Sequence, residues 1–164
     1  MGQNNKFLTL ALVIVMGAVL QGLLVWADCK DTPNRVAVDF SKAYFKLDSS
    51  MADLLCEESR IVDDVDVVEQ YVDQAVADVK ARGFGENFAK SKLYGVETHT
   101  TLKGKDNALV KLTGKRRVAI NSVYPIISTI FSLGETYHVE AEINTIREEG
   151  KWKVCDDLLS LYSD

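Results

Sequence analysis

The rhythm of hydrophobic and polar positions changes along this chain, and each change predicts a different element. From Phe7 to Ala27 (FLTLALVIVMGAVLQGLLVWA) there is no rhythm: the run holds no charge, and Gln21 is its one strongly polar residue. A helix rises about 1.5 Å per residue, so a run of this length can cross the roughly 30 Å hydrocarbon core of a bilayer. Helical spacing follows. Val36, Phe40, Ala43, Tyr44 and Leu47 recur at steps of three and four, predicting one amphipathic helix that opens at Thr32-Pro33 and ends near Leu47. Asp48-Ser49-Ser50 breaks it and caps a second, shorter helix whose buried side is Met51, Leu54 and Leu55, with Cys56 beside them.

A third helix is predicted from the acidic cluster Asp63, Asp64 and Asp66, where carboxylates oppose the positive end of the helix dipole. Its apolar face is Val65, Val68, Tyr71, Val72, Ala75, Val76 and Val79, and Gly83 and Gly85 stop it after Arg82. A calcium loop needs oxygen ligands at set spacings around a glycine turn, which Asp-Asp-Val-Asp lacks, so the cluster reads as a cap.

From Lys92 the period shortens from about 3.6 to about 2. Tyr94, Val96, Thr98, Thr100 and Leu102 form one face of a strand, and Gly104–Asn107 (GKDN) is a hairpin turn. Ala108, Val110 and Leu112 continue in a second strand that passes Gly114, a place for a bulge, into Arg116, Arg117 and Val118. Tyr137, Val139, Ala141 and Ile143 alternate with His138, Glu140, Glu142 and Asn144 in a third. After the turn Glu148–Lys151, Trp152 and Val154 begin a fourth strand ending near Leu158. Helices first and hairpin-linked strands afterwards mean α+β: three helices packed on a curved four-stranded antiparallel sheet, behind an N-terminal transmembrane helix.

One stretch fits neither rhythm. Ser122–Gly134 (SVYPIISTIFSLG) is uncharged and too apolar for an ordinary hairpin loop in water. Ile126, Ile127, Ile130, Phe131 and Leu133 are its candidate interface residues, for a second copy, a protein partner or a membrane; the alternative is a long hairpin folded back as extra core.

Charge and cysteines narrow the setting. The chain has 164 residues and a net charge of −5, and removing Lys6, the one charge before Asp28, leaves −6 on the remainder. An acidic domain disfavours nucleic acid and tight docking on anionic lipid. The apolar run has three readings. An uncleaved signal anchor fits its length. A cleaved signal peptide fits small Val25 and Ala27 ahead of a mature start at Asp28. A lipoprotein fits Cys29, although Asp28 is a poor neighbour for it. The anchor is the reading adopted: residues 1–6 cytoplasmic, 7–27 spanning once, 28–32 a short link and 33–164 an extracytoplasmic, periplasmic domain on the inner membrane, oriented by Lys6 and the amino terminus. Both anchor and cleaved forms export the domain, and an oxidising compartment permits one disulfide among Cys29, Cys56 and Cys155. Cys56 and Cys155 are the candidate pair; buried free thiols are the alternative. No CxxC or Cys/His pair has zinc spacing, and no GxSxG, HExxH, P-loop or GxGxxG occurs, so no cofactor or metal is expected.

DFSKAYFKLDSSMADLLCEES resembles the opening of proteins of the NTF2-like (cystatin-like cone) superfamily, where a helix ends in a Leu-Asp turn and a short helix with a leucine pair follows. EEGKWKVCDDL is similar to the terminal hairpin of many such domains. The resemblance covers about Pro33 to Leu158 and implies the order α-α-α-β-β-β-β. It implies no single activity, since the superfamily includes isomerases, dehydratases, transport factors, secretion subunits and exported lipoproteins. A span ahead of this fold also resembles VirB8-type subunits of secretion machines, which are longer.

Enzymes of that resemblance use an aspartate or an Asp/His pair inside the cone. Here His99 and His138 share strand faces with Glu97 and with Glu140 and Glu142, away from the apolar set. Tyr44, Tyr71, Tyr94 and Tyr137 have inward parity, and Asp156 shares parity with Trp152 and Val154; these five are the candidate pocket residues, with ordinary core and strand end as the alternatives. Lys115-Arg116-Arg117 reads as a solvated strand end that could meet an acidic partner or lipid headgroups. The expected function is therefore a membrane-anchored, non-catalytic binding or assembly module with a protein partner or a second copy. The alternative is a small-molecule cone, an isomerase or hydro-lyase.

Overall fold

The computed structural model describes residues 3–28, 31–118, 136–158 and 162. They belong to two compact units, Met1–Asp31 and Thr32–Asp164. The interface candidates Ile126, Ile127, Ile130, Phe131 and Leu133, and also Cys29, lie outside the described residues.

The first unit is one helix, α1 (Gln3–Asp28). Its side chains are described from 9 to 23, and they include the exposed apolar residues Leu10, Val13, Ile14, Met16, Leu20 and Leu23. Among the described residues no helix is long and apolar enough to cross a membrane.

In the second unit, α2 (Pro33–Lys46) starts where its capping signals lie: the Thr32 side chain accepts from the Arg35 backbone N–H, and Pro33 takes the first turn. Leu47 ends the helix in the left-handed region at φ 53°, and the Asp48 N–H closes the turn on the Ala43 carbonyl at 3.0 Å. The expected second helix is instead a 3₁₀ helix of two turns, Ser49–Leu54, capped by Asp48, whose carboxylate accepts from the Ser50 N–H. A one-turn helix, α3 (Glu57–Arg60), and a two-residue hairpin, β1 (Ile61–Val62) with β2 (Val65–Asp66), follow.

That hairpin corrects the reading of the acidic cluster. Asp63 and Asp64 sit at φ 51° and 62°, as the central pair of a tight turn, and do not begin a helix. Short Asp side chains tolerate this left-handed backbone better than most residues do. Only Asp66 caps, accepting from the Val68 and Glu69 N–H groups at the start of α4 (Val67–Ala81), while Arg60 pairs with its other oxygen at 3.3 Å. Val65, predicted on the buried helix face, is thus an exposed hairpin residue. In α4 Val67 and Val68 are buried, whereas Tyr71, Val72, Ala75, Val76 and Val79 are half-buried.

The sheet order is β3-β4-β5-β6, antiparallel throughout: β3 (Ser91–Leu102), β4 (Asn107–Val118), β5 (Thr136–Glu148) and β6 (Lys151–Val154). The expected α+β class and four-stranded antiparallel sheet are therefore present. Helix packing differs from expectation. α2 lies against all four strands, while α4 meets the 3₁₀ helix, α3 and β2 and adds Val67 and Val68 to the edge of the core. Val36, Ala37, Phe40 and Tyr44 of α2 meet Val110, Leu112, Ile143 and Val154 of the sheet in one core. A buried Thr145 hydroxyl is satisfied by the Ala108 carbonyl at 3.0 Å.

Two strand details differ from the alternation. The bulge is in β3, not at Gly114: Tyr94 opposes Lys115 and Glu97 opposes Thr113, so Gly95 and Val96 together face Gly114. Gly95 supplies the positive φ, 59°, and Gly114 leaves room that a Cβ, 3.3 Å from the Leu93 side chain, would crowd. The extra residue shifts the parity, so Leu93 is buried before the bulge and Val96 faces inward after it. The fourth strand stops at Val154, not Leu158, because the chain is tied down there. Leu55 bridges to Val154, the Cys56 N–H donates to the Val154 carbonyl at 2.8 Å, and Cys56 and Cys155 form a disulfide.

This disulfide closes a long loop, spanning 99 positions of sequence. Replacing Cys155 with Ser should cost about 2–5 kcal/mol of unfolding free energy, the usual effect of losing a native disulfide from a small domain. Denaturant midpoints measured with and without reductant check this. The same loss should appear when the wild-type chain is reduced, and none when the variant is reduced.

Candidate functional site

The strands carry two layers of side chains at the end of the sheet where β4 reaches Val118. The register places Leu93, Arg116 and Tyr137 side by side across β3, β4 and β5. Arg116 continues the inward parity of Val110, Leu112 and Gly114, so its guanidinium lies on the helix-covered face. It stands over the Phe45 ring from α2 at 5.5 Å and over the Tyr137 ring at 5.5 Å. One residue along, parity reverses. Arg117 stands over the Tyr94 ring at 5.6 Å, and the Tyr94 hydroxyl meets Thr136 at 3.3 Å, on the opposite face.

Behind Arg116 is a continuous aromatic cluster. Tyr44 stacks on Tyr71 with ring centroids 4.4 Å apart, and Tyr162 lies 4.7 Å from both Tyr44 and Phe45. The Tyr162 hydroxyl donates to Ser41, which donates in turn to the Ala37 carbonyl at 2.6 Å. Burial pushes the Tyr44 hydroxyl above the ordinary tyrosine range, against the pull of its bond to Tyr71 and of the Arg116 charge. Burial raises Tyr71 further, helped by Tyr44 and opposed by Arg116. Burial also raises Tyr162, with the Ser41 bond opposing. The hydroxyls are therefore neutral hydrogen-bonding groups at any ordinary pH.

No hydrogen bond or ion pair joins Arg116 to another described residue, and its Nε, like that of Arg117 on the other face, is enclosed without an acceptor. A planar guanidinium is the side chain that aromatic faces hold best, and its free edge suits a planar anion. The arrangement thus presents one cation, aromatic walls and neutral hydroxyls.

Of the five candidate pocket residues, Tyr44, Tyr71 and Tyr137 converge here. Tyr94 does not, because the bulge at Gly95 and Val96 turns it to the other face. Asp156 does not either. Its carboxylate accepts from the Asn144 backbone N–H at 3.0 Å and from the Asn144 side-chain amide at 3.2 Å, completing the strand edge that β6 leaves early. It lines an open cleft of about 660 Å³ beside the disulfide, with Glu58, Val62, Asp63, Val65 and Asp157. Among the described residues no three ligating side chains gather for a metal. His99 and His138 are exposed on the outer face. Sequence reasoning missed Arg116 and Phe45. The signal for Arg116 was available, since counting by twos from Ala108 through Val110, Leu112 and Gly114 arrives at it.

No family model matches the chain, and no curated protein does. Among solved structures the chain is similar to a protein of Campylobacter jejuni provisionally assigned as an NTF2-like transpeptidase. The two share 14% identity over 77% of this chain and 99% of that one, at a TM-score of 0.41. An NTF-2 like protein of unknown function from Shewanella oneidensis is 11% identical over 76% and 100% of the two chains, TM-score 0.41. A Xanthomonas campestris protein, provisionally a calcium/calmodulin dependent protein kinase II association domain, is 16% identical over 73% and 80%, TM-score 0.36. None of these likenesses assigns the chain to a family.

The buried hydroxyls make stability sensitive to alkali. An unfolded tyrosine ionises near pH 10, while Tyr44, Tyr71 and Tyr162 hold their protons to higher pH. Their contribution is complete below about pH 10 and is lost as pH rises above it. The denaturant midpoint should fall steeply from about pH 10 to 12, and Tyr71→Phe should flatten that fall. An identical pH profile for wild type and variant would count against the buried-hydroxyl account.

Proposed function

We propose that this protein is an NTF2-like domain, held outside the cytoplasm by a single membrane span over Phe7–Ala27, that serves as a non-catalytic binding or assembly module. The tether is supported by the length of the uncharged run in the sequence. The NTF2-like assignment is supported by the Leu47-Asp48 turn after α2, by a sheet built from hairpins, and by the closing EEGKWKV hairpin, whose Glu149 and Gly150 adopt φ 50° and 81°.

The observation that carries the binding reading is Arg116, a cation standing over two rings with no described acceptor at its Nε. Proton-transfer chemistry of the isomerase or hydro-lyase type needs a carboxylate or imidazole at that place. The residues gathered there are instead a guanidinium, Phe45 and tyrosines, while His99, His138 and Asp156 are engaged elsewhere or face solvent. A cation among aromatic walls is suited to recognising a partner, and among the described residues no carboxylate or imidazole stands beside it.

The tether is tested with the full chain expressed in bacterial cells. It should remain in the membrane pellet after alkaline carbonate extraction, and protease added to spheroplasts should digest the domain. The N-terminus should be the encoded one. Recovery as a soluble periplasmic protein starting at Asp28 would replace the anchored form with a secreted one, and protection from external protease would exclude export.

A further inference from the structure

The binding reading leaves the ligand's chemistry open, and the surroundings of Arg116 narrow it. Nε is enclosed and has no acceptor, so the guanidinium is partly stripped of water without compensation. Its central carbon stands over the rings of Phe45 and Tyr137, 5.5 Å from each centroid. The arrangement is not sealed, since Tyr137 is 43% exposed and Tyr71 is half-buried. Next to it stand the Tyr44 and Tyr71 hydroxyls, both neutral.

The other basic residues of this strand end do not share the face. Lys115 and Arg117 point to the opposite side, Arg117 onto Tyr94. A single positive charge matches a single negative one. A phosphate dianion would bring a second charge with no partner, in a chain whose net charge is already −5. The aromatic walls add apolar surface for a hydrophobic or ring-bearing body.

We propose that Arg116, with Phe45, Tyr137, Tyr44 and Tyr71, forms a receptor for small monoanionic carboxylates carrying an apolar or aromatic group. Resting on the binding reading above, this names the class of ligand. The carboxylate takes the open edge of the guanidinium in a two-point bond, and the apolar body lies against Tyr137 and the cluster behind it.

The test uses the full chain in detergent micelles, titrated with phenylacetate and, as neutral isosteres, phenylacetamide; inorganic phosphate is the second anion. Binding is read by ligand-observed NMR with empty micelles as blank. Phenylacetate should bind at least about tenfold more tightly than phenylacetamide, the size of one charge-assisted hydrogen-bond pair, and more tightly than phosphate. Arg116→Gln should remove that preference, with Arg116→Lys recovering only part of it, while Arg117→Gln on the other face leaves it unchanged. Circular dichroism confirms that each variant is folded, and the acid–amide comparison in the wild type stands even where a variant is not. Equal affinity for acid and amide would overturn the anion inference while leaving a neutral-ligand site. An acid preference that survives Arg116→Gln would overturn the assignment to Arg116. No binding of any probe by a chain that remains anchored and exported would overturn the receptor and leave capture of a protein partner as the module's role.

Discussion

Every placement in this domain depends on the stripe that α2 lays across the sheet. Val36, Ala37, Phe40 and Tyr44 must leave water together, and the inner faces of β4 and β5, with Val154 of β6, are what cover them. Once that contact is made, the side-chain period of 2 decides the side of the sheet for every other strand residue. Arg116 is inside because Leu112 is inside, two steps of two away, with Gly114 between. No local preference of arginine puts it there; it is carried in by the register.

The same constraint explains the bulge. β3 must bury Leu93 at one end and present Val96 and Thr98 inward beyond it, which an unbroken alternation cannot do. The additional residue at Gly95 and Val96 absorbs the mismatch, and Gly114 opposite gives it space. Tyr94 leaves the inner face as a result and pairs with Arg117 and Thr136 outside. Two arginines adjacent in sequence thereby enter different environments, one under α2 and one on the outer surface, although each finds a tyrosine ring.

Much of the fold is legible in the sequence for reasons that can be named. The Thr32-Pro33 start and the stripe to Leu47 are local signals that tertiary packing reinforces. The hairpin turns at Gly104–Asn107 and Glu148–Lys151 combine turn residues with alternation on either side. The failures have physical causes as well. Asp63 and Asp64 favour helix starts and tight turns alike, and only the pairing of Ile61 with Asp66 selects the turn. Met51 and Leu54 carry an i, i+3 spacing that a short 3₁₀ helix satisfies as well as an α-helix does, and Leu55 is buried just beyond its end. The candidate site was half legible: aromatic residues at inward positions mark Tyr44, Tyr71 and Tyr137, whereas a run of three basic residues hides that its middle member lies on the other face.

Holding a guanidinium under a helix is costly unless something replaces its water. Two cation–π contacts contribute about 0.5–2 kcal/mol each, less than the several kcal/mol that enclosing a full charge without a counterion demands. The arrangement limits the demand by leaving Arg116 half-buried at the end of the sheet. The neighbouring tyrosines cannot help by ionising, because burial makes their charged forms still less favourable beside one another. Among the described residues no carboxylate pairs with Arg116, so water or an anion from beyond them is left to solvate it. Glutamine would remove the charge, and lysine would keep it but lose the flat fork that stands over Phe45 and Tyr137. Arginine at position 116 is thus the residue whose shape the aromatic pair fits, and its unsatisfied edge is what distinguishes this place from ordinary core.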